Sequence, residues 1–277
     1  MTVSMWDEGT SDLRERQRRD WDRIAASVRD FHAAPSTQYY RRCEAALLER
    51  SVGSLRGKRV LKLDLWNEAF NTRILHWMRA EGAETFGLDL SQVVAVAARR
   101  NGRAIGDGGR LVQADIREVP FDGDTFDVVY TMGTIEHIAE YRHALAEVAR
   151  VLRPGGVAVV GVPHRWNLFL RPLMVRVLSL LGLYLYAPEK SFSAGELARD
   201  LTAAGLAVRR RDGILAIPGL VRMADLFCHT RRIPIAPLVR PAIAPFAYGE
   251  TRWSWPGRFG YLLALAAAKP GHDPDEA

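Results

Sequence analysis

No glycine occurs between Gly57 and Gly82, although the chain holds 23 in all, so the gap is local. Cysteine is nearly absent. Cys43 and Cys228 lie far apart and in no metal-ligand spacing. They read as free thiols of a reducing compartment, not as a disulfide framework. Lysine appears only at 58, 62, 190 and 269, so the net charge of +6 rests on arginine. A run of about 20 uncharged apolar residues is missing too, which argues against a segment that spans a bilayer. The first residues, Met1-Thr-Val-Ser-Met-Trp-Asp-Glu, lack a basic region followed by an apolar run, so no signal peptide is expected. The expected location is cytoplasmic, with a peripheral place at the inner membrane face as the alternative.

What is present suits one α/β domain with an appendage, or two small domains: 277 residues, 48% of them hydrophobic. Arginine clusters from Arg14 to Arg19, at Arg209-Arg210-Arg211 and at Arg231-Arg232. Such runs read first as solvated faces. Contact with anionic lipid or a phosphorylated substrate is the other use. Nucleic acid is not expected, because no basic stretch is interleaved with stacking aromatics.

Residues 11–50 read as two helices. The first carries a stripe of Trp21, Ile24, Val28 and Phe31, is broken by Pro35, and gives way to a second helix capped by Ser36 with Tyr39, Tyr40, Cys43 and Leu47. From 57 to 163 strand and helix alternate. Strands are expected near 59–65, 84–89, 110–114, 126–131 and 157–162. Helices are expected near 68–81, 91–102 and 136–152. That alternation implies a parallel, doubly wound sheet. After Pro163 the rhythm changes. Residues 166–187 and 217–256 are apolar and proline-interrupted. Between them, Ser193-x-x-Glu196 is a capping box that opens a helix. Strands near 206–210 and 261–266 close the pattern.

The glycine gap falls on the turn after the first strand. In dinucleotide folds that turn is glycine-rich, because side chains there collide with the ligand. Here it reads Asp64-Leu65-Trp66-Asn67-Glu68-Ala69-Phe70. Lys62 and Asp64 are two apart in a strand and share a face, so an ion pair between them is the simplest reading. Asn67 is a good N-cap, which places Glu68 in the first helical turn, where an anion would otherwise dock.

Four later segments carry a resemblance: Leu88-Asp89-Leu90-Ser91; Gln113-Ala114-Asp115-Ile116; Phe121 through Phe126-Asp127 and Tyr130 to Ile135-Glu136-His137-Ile138; and Leu152-Arg153-Pro154-Gly155-Gly156. In this order and spacing the chain resembles the class I S-adenosylmethionine-dependent methyltransferases, in particular the small-molecule group. The resemblance covers about 57–211 and the terminal strand. It implies a Rossmann-like, doubly wound, mostly parallel seven-stranded sheet with N-terminal helices and substrate-binding insertions. The domain plan is an N-terminal helical lid over 1–50, a methyltransferase-like domain over 51–270 with insertions at 164–192 and 217–256, and a tail at 271–277.

An acid ending the second strand can accept hydrogen bonds from both ribose hydroxyls, which makes Asp89 the first cofactor candidate, with Leu90 beside it. The resemblance implies that Asp115 meets the adenine amino group and that Ile116 packs on the ring. Thr131 joins this set. Aligned on the family's first motif, Lys62 replaces an acid, and Asp64, Trp66 and Glu68 replace glycines. Lys62 is then the nearest cation for the methionine carboxylate. His137 and His164 sit just beyond strand ends, where either could act as base. Each could equally be a histidine bonded to backbone. Tyr39 and Tyr40 could close over the site or form core. Arg165 and Trp166 head the insertion, where Trp166, Phe169, Met174, Tyr184 and Tyr186 could line an acceptor pocket. With Arg171 and Arg176 the same segment could rest on an anionic membrane or form a homodimer interface. No metal is expected.

The function expected is methyl transfer from S-adenosylmethionine to a hydroxyl, amine or carbon of an apolar small molecule: a lipid, a glycolipid or a secondary metabolite. The replaced loop keeps an alternative open, a repurposed or catalytically silent relative with altered or lost cofactor binding that serves as a binding or scaffold subunit.

Overall fold

The computed structural model describes residues 10–104, 106, 109–182, 184, 189–252 and 258–271. Tyr186, residues 1–9 and most of the tail lie outside them. Two helices lead, α1 (Thr10–Ser27) and α2 (Pro35–Val52). The alternating region follows: β1 (Arg59–Lys62), α3 (Trp66–Phe70), α4 (Ile74–Ala80), β2 (Glu84–Asp89), α5 (Gln92–Ala104), β3 (Arg110–Gln113) and β4 (Phe126–Met132). Then come a 3₁₀ turn (Ile135–His137), α6 (Tyr141–Val151) and β5 (Leu152–Pro163). The last third holds α7 (Arg171–Leu180), α8 (Ala194–Ala203), β6 (Ala207–Ile214), α9 (Gly219–Thr230), α10 (Ala236–Arg252) and β7 (Leu262–Ala268).

The seven strands form one sheet in the order β3-β2-β1-β4-β5-β7-β6. All pairs are parallel except those of β7, which runs antiparallel to both β5 and β6. The sheet is therefore Rossmann-like and mostly parallel, as expected. Its central strands are apolar throughout because both faces are covered; all seven residues of β4 are buried. The two-residue period sorts their side chains. Val60, Val128, Tyr130 and Val159 face the core shared with α2, α4 and α9. Leu61, Val129, Ala158 and Val160 face the core under α6 and α8. Lys62 shares the parity of Val60, so it points into the α2 side, where Glu44 and Tyr130 lie.

Several local expectations change. The single helix expected over 68–81 is two, separated by Asn71, Thr72 and a left-handed Arg73 (φ 55°). Asn67 is the reason. Its backbone carbonyl accepts from the N–H groups of both Asn71 and Arg73, at 3.0 Å each, and its side-chain oxygen accepts from Asn71 Nδ2 at 2.9 Å. Asn67 therefore lies inside α3 and ties off its end, while Leu65 holds the N-cap position. Glu68 starts the next helix: its Oε1 accepts from the Leu75 N–H at 2.9 Å. Helix α2 begins at Pro35 itself, with Ala34 at the N-cap position, so Ser36 is not the cap. Its N–H donates to Asp225 Oδ2 instead. Helix α1 ends at Ser27, short of Val28 and Phe31, and the helix expected from 136 starts at Tyr141. The capping box forms as expected, and the hydrogen bond from the Ser193 backbone pulls Glu196 down to about 2.

Candidate functional site

Strands β1, β2 and β4 end at one edge of the sheet, and an open cleft lies beyond them. Leu63 and Asp64, Asp89 and Leu90, and Met132 and Gly133 form its floor. Ligands of open α/β sheets bind in this position. Gln17 and Trp21 of α1 and Tyr40 of α2 line it from the N-terminal side.

At the first end of the cleft, Asp89 is held by the backbone. Oδ2 accepts from Leu65 N–H and Oδ1 from Ser91 N–H, both at 2.8 Å. Each oxygen retains a second lone pair for a ligand. Burial pushes its carboxyl up to about 7; the two N–H donors oppose the rise and the Asp64 charge adds to it. Ile116 is buried against the cleft and Asp115 lines it. Asp115 is gripped by Arg117, whose Nη2 reaches Oδ2 at 2.6 Å. Burial raises its carboxyl, but the Arg117 hydrogen bonds and the Arg14 charge win, and the net shift is downward.

The replaced turn forms the next wall. Trp66 lines the cleft with Asn67 and Asn71, and stacks edge-on against Trp21 (5.9 Å) and Phe70 (5.0 Å). Below it, Lys62 is wholly buried. Its Nζ lies 2.7 Å from Asp64 Oδ1 and 3.2 Å from Glu68 Oε2. Burial would lower the ammonium's pKa, but these two carboxylates outweigh it and the net shift is upward. Lys62 is thus committed beneath the floor and does not reach the cleft. The role expected for it, pairing with a methionine carboxylate, is corrected by its burial and its two acids. Glu68 is 1% exposed and also does not line the cleft. Asp64 does, and its Oδ2 is buried with no hydrogen-bond partner among the described residues.

The opposite end is built from the 3₁₀ turn, α7, α9 and β7. Glu136 is 6% exposed, lines the cleft, and has an Oε2 without a hydrogen-bond partner among the described residues. Burial pushes its carboxyl well above the usual range; its own backbone N–H opposes this, and the Glu189 charge adds to it. Arg171 pairs with Glu189 and sits over the Tyr261 ring at 4.4 Å, while Tyr184 donates to Glu189 at 2.6 Å. Leu215, Met223 and Leu262 add apolar wall.

Of the remaining expected residues, His137 lines the cleft, edge-on to Trp21 at 5.1 Å and with Nε2 4.0 Å from Glu136 Oε1. His164 is buried outside the cleft, and burial lowers its pKa. Thr131 is buried within β4, likewise outside. Tyr40 is in the wall; Tyr39 is core and donates to Glu250. Arg165 pairs with Glu196 at 2.8 Å, and Trp166 is 67% exposed, so neither lines the cleft. Arg171 and Tyr184 do, whereas Phe169 and Met174 do not. Glu136 and Glu189 were not singled out as site residues. Glu136 stands in a motif segment beside His137, a signal that could have found it. Glu189 carried none, being brought in by the folding of the insertion.

A doubly wound sheet with an acid closing its second strand on an open cleft defines a nucleotide-binding α/β protein. A methyltransferase-domain family model matches residues 69–160. Demethylmenaquinone methyltransferase of Thermus thermophilus is 35% identical over 163 residues, covering 53% of this chain and 74% of that protein. The phthiotriol/phenolphthiotriol dimycocerosates methyltransferase of Mycobacterium tuberculosis is 36% identical over 105 residues, 37% of this chain and 36% of that one. A Haloferax volcanii methyltransferase solved with the activator Trm112 superposes with a TM-score of 0.60 at 23% identity, covering 92% of this chain and 98% of that one, a likeness of fold. The chain belongs to the class I S-adenosylmethionine-dependent methyltransferases. It is an enzyme that transfers a methyl group, and S-adenosylmethionine is its cofactor. The cleft fits that group at its adenosine end, where Asp89 keeps free lone pairs and Ile116 offers an apolar face. Beside the replaced turn the lining suits a cation, since Asp64 Oδ2 has no hydrogen-bond partner among the described residues. No helix among the described residues is long and apolar enough to cross a membrane.

Proposed function

We propose that this enzyme methylates a hydroxyl, amine or carbon of an apolar small molecule that enters the cleft from the α7–α9 end, with α1 and α2 serving as its lid. One observation carries this reading. The cleft is continuous from Asp89 and Asp115 to an end where Leu215, Met223 and Leu262 join Glu136, Arg171 and Glu189, so an acidic nucleoside end and an end of mixed apolar and charged wall meet in one cleft that His137 also lines.

Bound S-adenosylmethionine supplies a methyl on a sulfonium, an electrophile whose leaving group is a neutral thioether. The chain's task is to hold and align. Asp89 takes the ribose hydroxyls, Asp115 and Ile116 the adenine, and Asp64 Oδ2 the α-ammonium. Trp66 closes over that end. For a hydroxyl acceptor, His137 removes the proton. Glu136, whose Oε2 has no hydrogen-bond partner among the described residues, is placed to bond a polar group of the acceptor, and the Arg171–Glu189–Tyr184 group orients a polar head.

The test is transfer of labelled methyl from S-adenosylmethionine into a total lipid extract. Label that partitions into the organic phase, and that falls at least tenfold in His137→Ala for hydroxyl acceptors, is expected, since general-base catalysis contributes roughly a hundredfold or more. Label confined to water-soluble products ends the proposal of an apolar acceptor.

A further inference from the structure

Large apolar side chains are unevenly exposed on this protein. Sixteen are exposed among the described residues, and thirteen of them fall between Trp166 and Phe259. They belong to elements that pack on one another. Met174 of α7 lies against Gly219 of α9, Phe169 meets Phe246 of α10 with ring centroids 5.8 Å apart, and Asn167 Nδ2 donates to Phe259 O at 2.8 Å.

Each helix turns its apolar stripe outward. On α7, Leu173, Val177, Leu180 and Leu181 share a helical face and are exposed, while Val175 is buried. On α9, Leu220 and Phe227 are seven apart and exposed, while Leu226 and Asp225 face in. On α10, Leu238, Pro241, Pro245 and Tyr248 are exposed, while Val239 and Ile243 are buried. Buried residues on the opposite sides show that these helices already have their core partners.

Charge is sorted in the same sense. Helices α7, α9 and α10 contain two acids, Asp225 and Glu250. Asp225 accepts from Ser36 N–H, and Glu250 accepts from Tyr39 OH and Leu215 N–H, so both are turned inward. Apart from Arg171 and Arg222, which are buried, the arginines of these helices and of their flanking segments face out: Arg176, Arg231, Arg232, Arg240, Arg252 and Arg258 are all exposed. Two of them fold over exposed aromatics, Arg231 over Phe227 at 4.1 Å and Arg252 over Tyr248 at 5.2 Å. An apolar body with a cationic tip is suited to a membrane–water boundary, where the stem is buried and the charge stays at headgroup level.

We propose that the exposed apolar and arginine-rich face of α7, α9 and α10 docks on an anionic lipid bilayer. Charge complementarity decides against a second copy as the occupant, because stacking this face on itself would oppose arginine to arginine. Apolar side chains enter the boundary region and the arginines meet lipid phosphates. The same helices supply Arg171, Arg222 and Met223 to the cleft, so docking sets that end of it toward the lipid. The docking itself does not depend on the acceptor proposed above.

The full chain is tested by co-sedimentation with vesicles of phosphatidylcholine alone and of phosphatidylcholine mixed with phosphatidylglycerol, at low and high salt, with light scattering of the protein alone. Binding is expected to the anionic vesicles only, and high salt should weaken it. Leu180→Asp with Phe227→Asp should abolish it. Arg231→Gln with Arg252→Gln should weaken it by about fivefold for each arginine lost. All these positions are exposed, so the variants should melt with the parent. Equal binding to uncharged vesicles, binding untouched by both pairs of substitutions, or a stable dimer that ignores vesicles overturns the proposal.

Discussion

Lys62 Nζ lies between Asp64 Oδ1 and Glu68 Oε2, at 2.7 and 3.2 Å, and none of the three side chains is more than 9% exposed. The three departures from a glycine-rich turn therefore form one unit. A lysine in place of an acid puts a cation in the core, and the two new carboxylates neutralise it. Neither would be tolerated there alone. The unit also shapes the chain, since Glu68 spends its other oxygen on the start of α4.

Breaking this unit should cost more than removing it. Lys62→Met leaves two buried carboxylates without a cation and is expected to destabilise by about 3–5 kcal/mol. Adding Asp64→Asn and Glu68→Gln should recover most of that loss. Urea unfolding of the two variants decides. Additive losses would show that the three side chains act independently.

Glu44 gives a stability that depends on pH. It accepts from Tyr130 OH at 2.6 Å and Asn67 Nδ2 at 3.1 Å, and burial pushes its carboxyl from 4.5 up to about 7. Between these values the folded chain keeps a proton that the unfolded chain has lost. Glu44 therefore favours the folded state on the acid side, and its contribution falls as pH rises through that window. Glu44→Gln should flatten the fall, worth on the order of 3 kcal/mol at most. Unfolding midpoints at about pH 5 and about pH 8 read it directly; a slope unchanged in the variant would place its origin elsewhere.

Asp89 holds the loop through Leu65 and Ser91 and is proposed to hold the ribose as well. Asp89→Ala removes hydrogen bonds of about 1.5–3 kcal/mol each from a bound nucleoside. Affinity for adenosine and for S-adenosylhomocysteine should fall together, because both carry the ribose. Calorimetric titration that finds both as tight as in the parent would leave Asp89 only its bonds to Leu65 and Ser91.

Much of this was legible in the sequence because the signals were local. The strand positions and the alternation that implies a parallel sheet follow from apolar runs, while the seven-stranded, mostly parallel sheet and the acid at Asp89 came with the family resemblance. The helix break at Asn71 was not legible, since it depends on Asn67 bonding to Asn71 and Arg73 rather than capping α3. The fate of Lys62 was only half legible. Strand parity gave its pairing with Asp64, but Glu68 reaches it from the far side of a turn. Likewise Glu189 and Arg171 meet only because the insertion folds back on the 3₁₀ turn. Side-chain partners far apart in the chain leave no periodicity to read.

Asp64 should distinguish cofactor from nucleoside. Its Oδ1 is taken by Lys62, while Oδ2 is buried and without a hydrogen-bond partner among the described residues, in a residue that lines the cleft. Asp64→Asn keeps an acceptor for Lys62 but puts a donor where the α-ammonium is proposed to sit. S-adenosylmethionine and S-adenosylhomocysteine should lose about tenfold or more in affinity, from one charge-assisted hydrogen bond. Adenosine, which has no ammonium, should be unaffected. Parallel losses for all three ligands would move the ammonium site away from Asp64.

Restoring the glycines is the sharpest test of the replaced turn. Glycine at 64, 66 and 68 reopens the wall formed by Trp66, but it also strips Lys62 of both counter-ions. With the ammonium wholly buried, that triple variant is expected to be unfolded or markedly less stable than the parent. Changing Lys62→Met at the same time removes the stranded cation without leaving a buried charge and lets the glycines act only on the cleft. The fourfold variant should fold and bind adenosine at least as tightly as the parent, since Asp89 and Asp115 are untouched, while S-adenosylmethionine should show the loss argued for Asp64. Thermal melts and titrations of both variants separate the two effects. A triple variant as stable as the parent would mean that Lys62 finds other partners or water. A fourfold variant that folds but no longer binds adenosine would mean that Trp66 is part of the binding surface, a wall the ligand needs rather than one it tolerates.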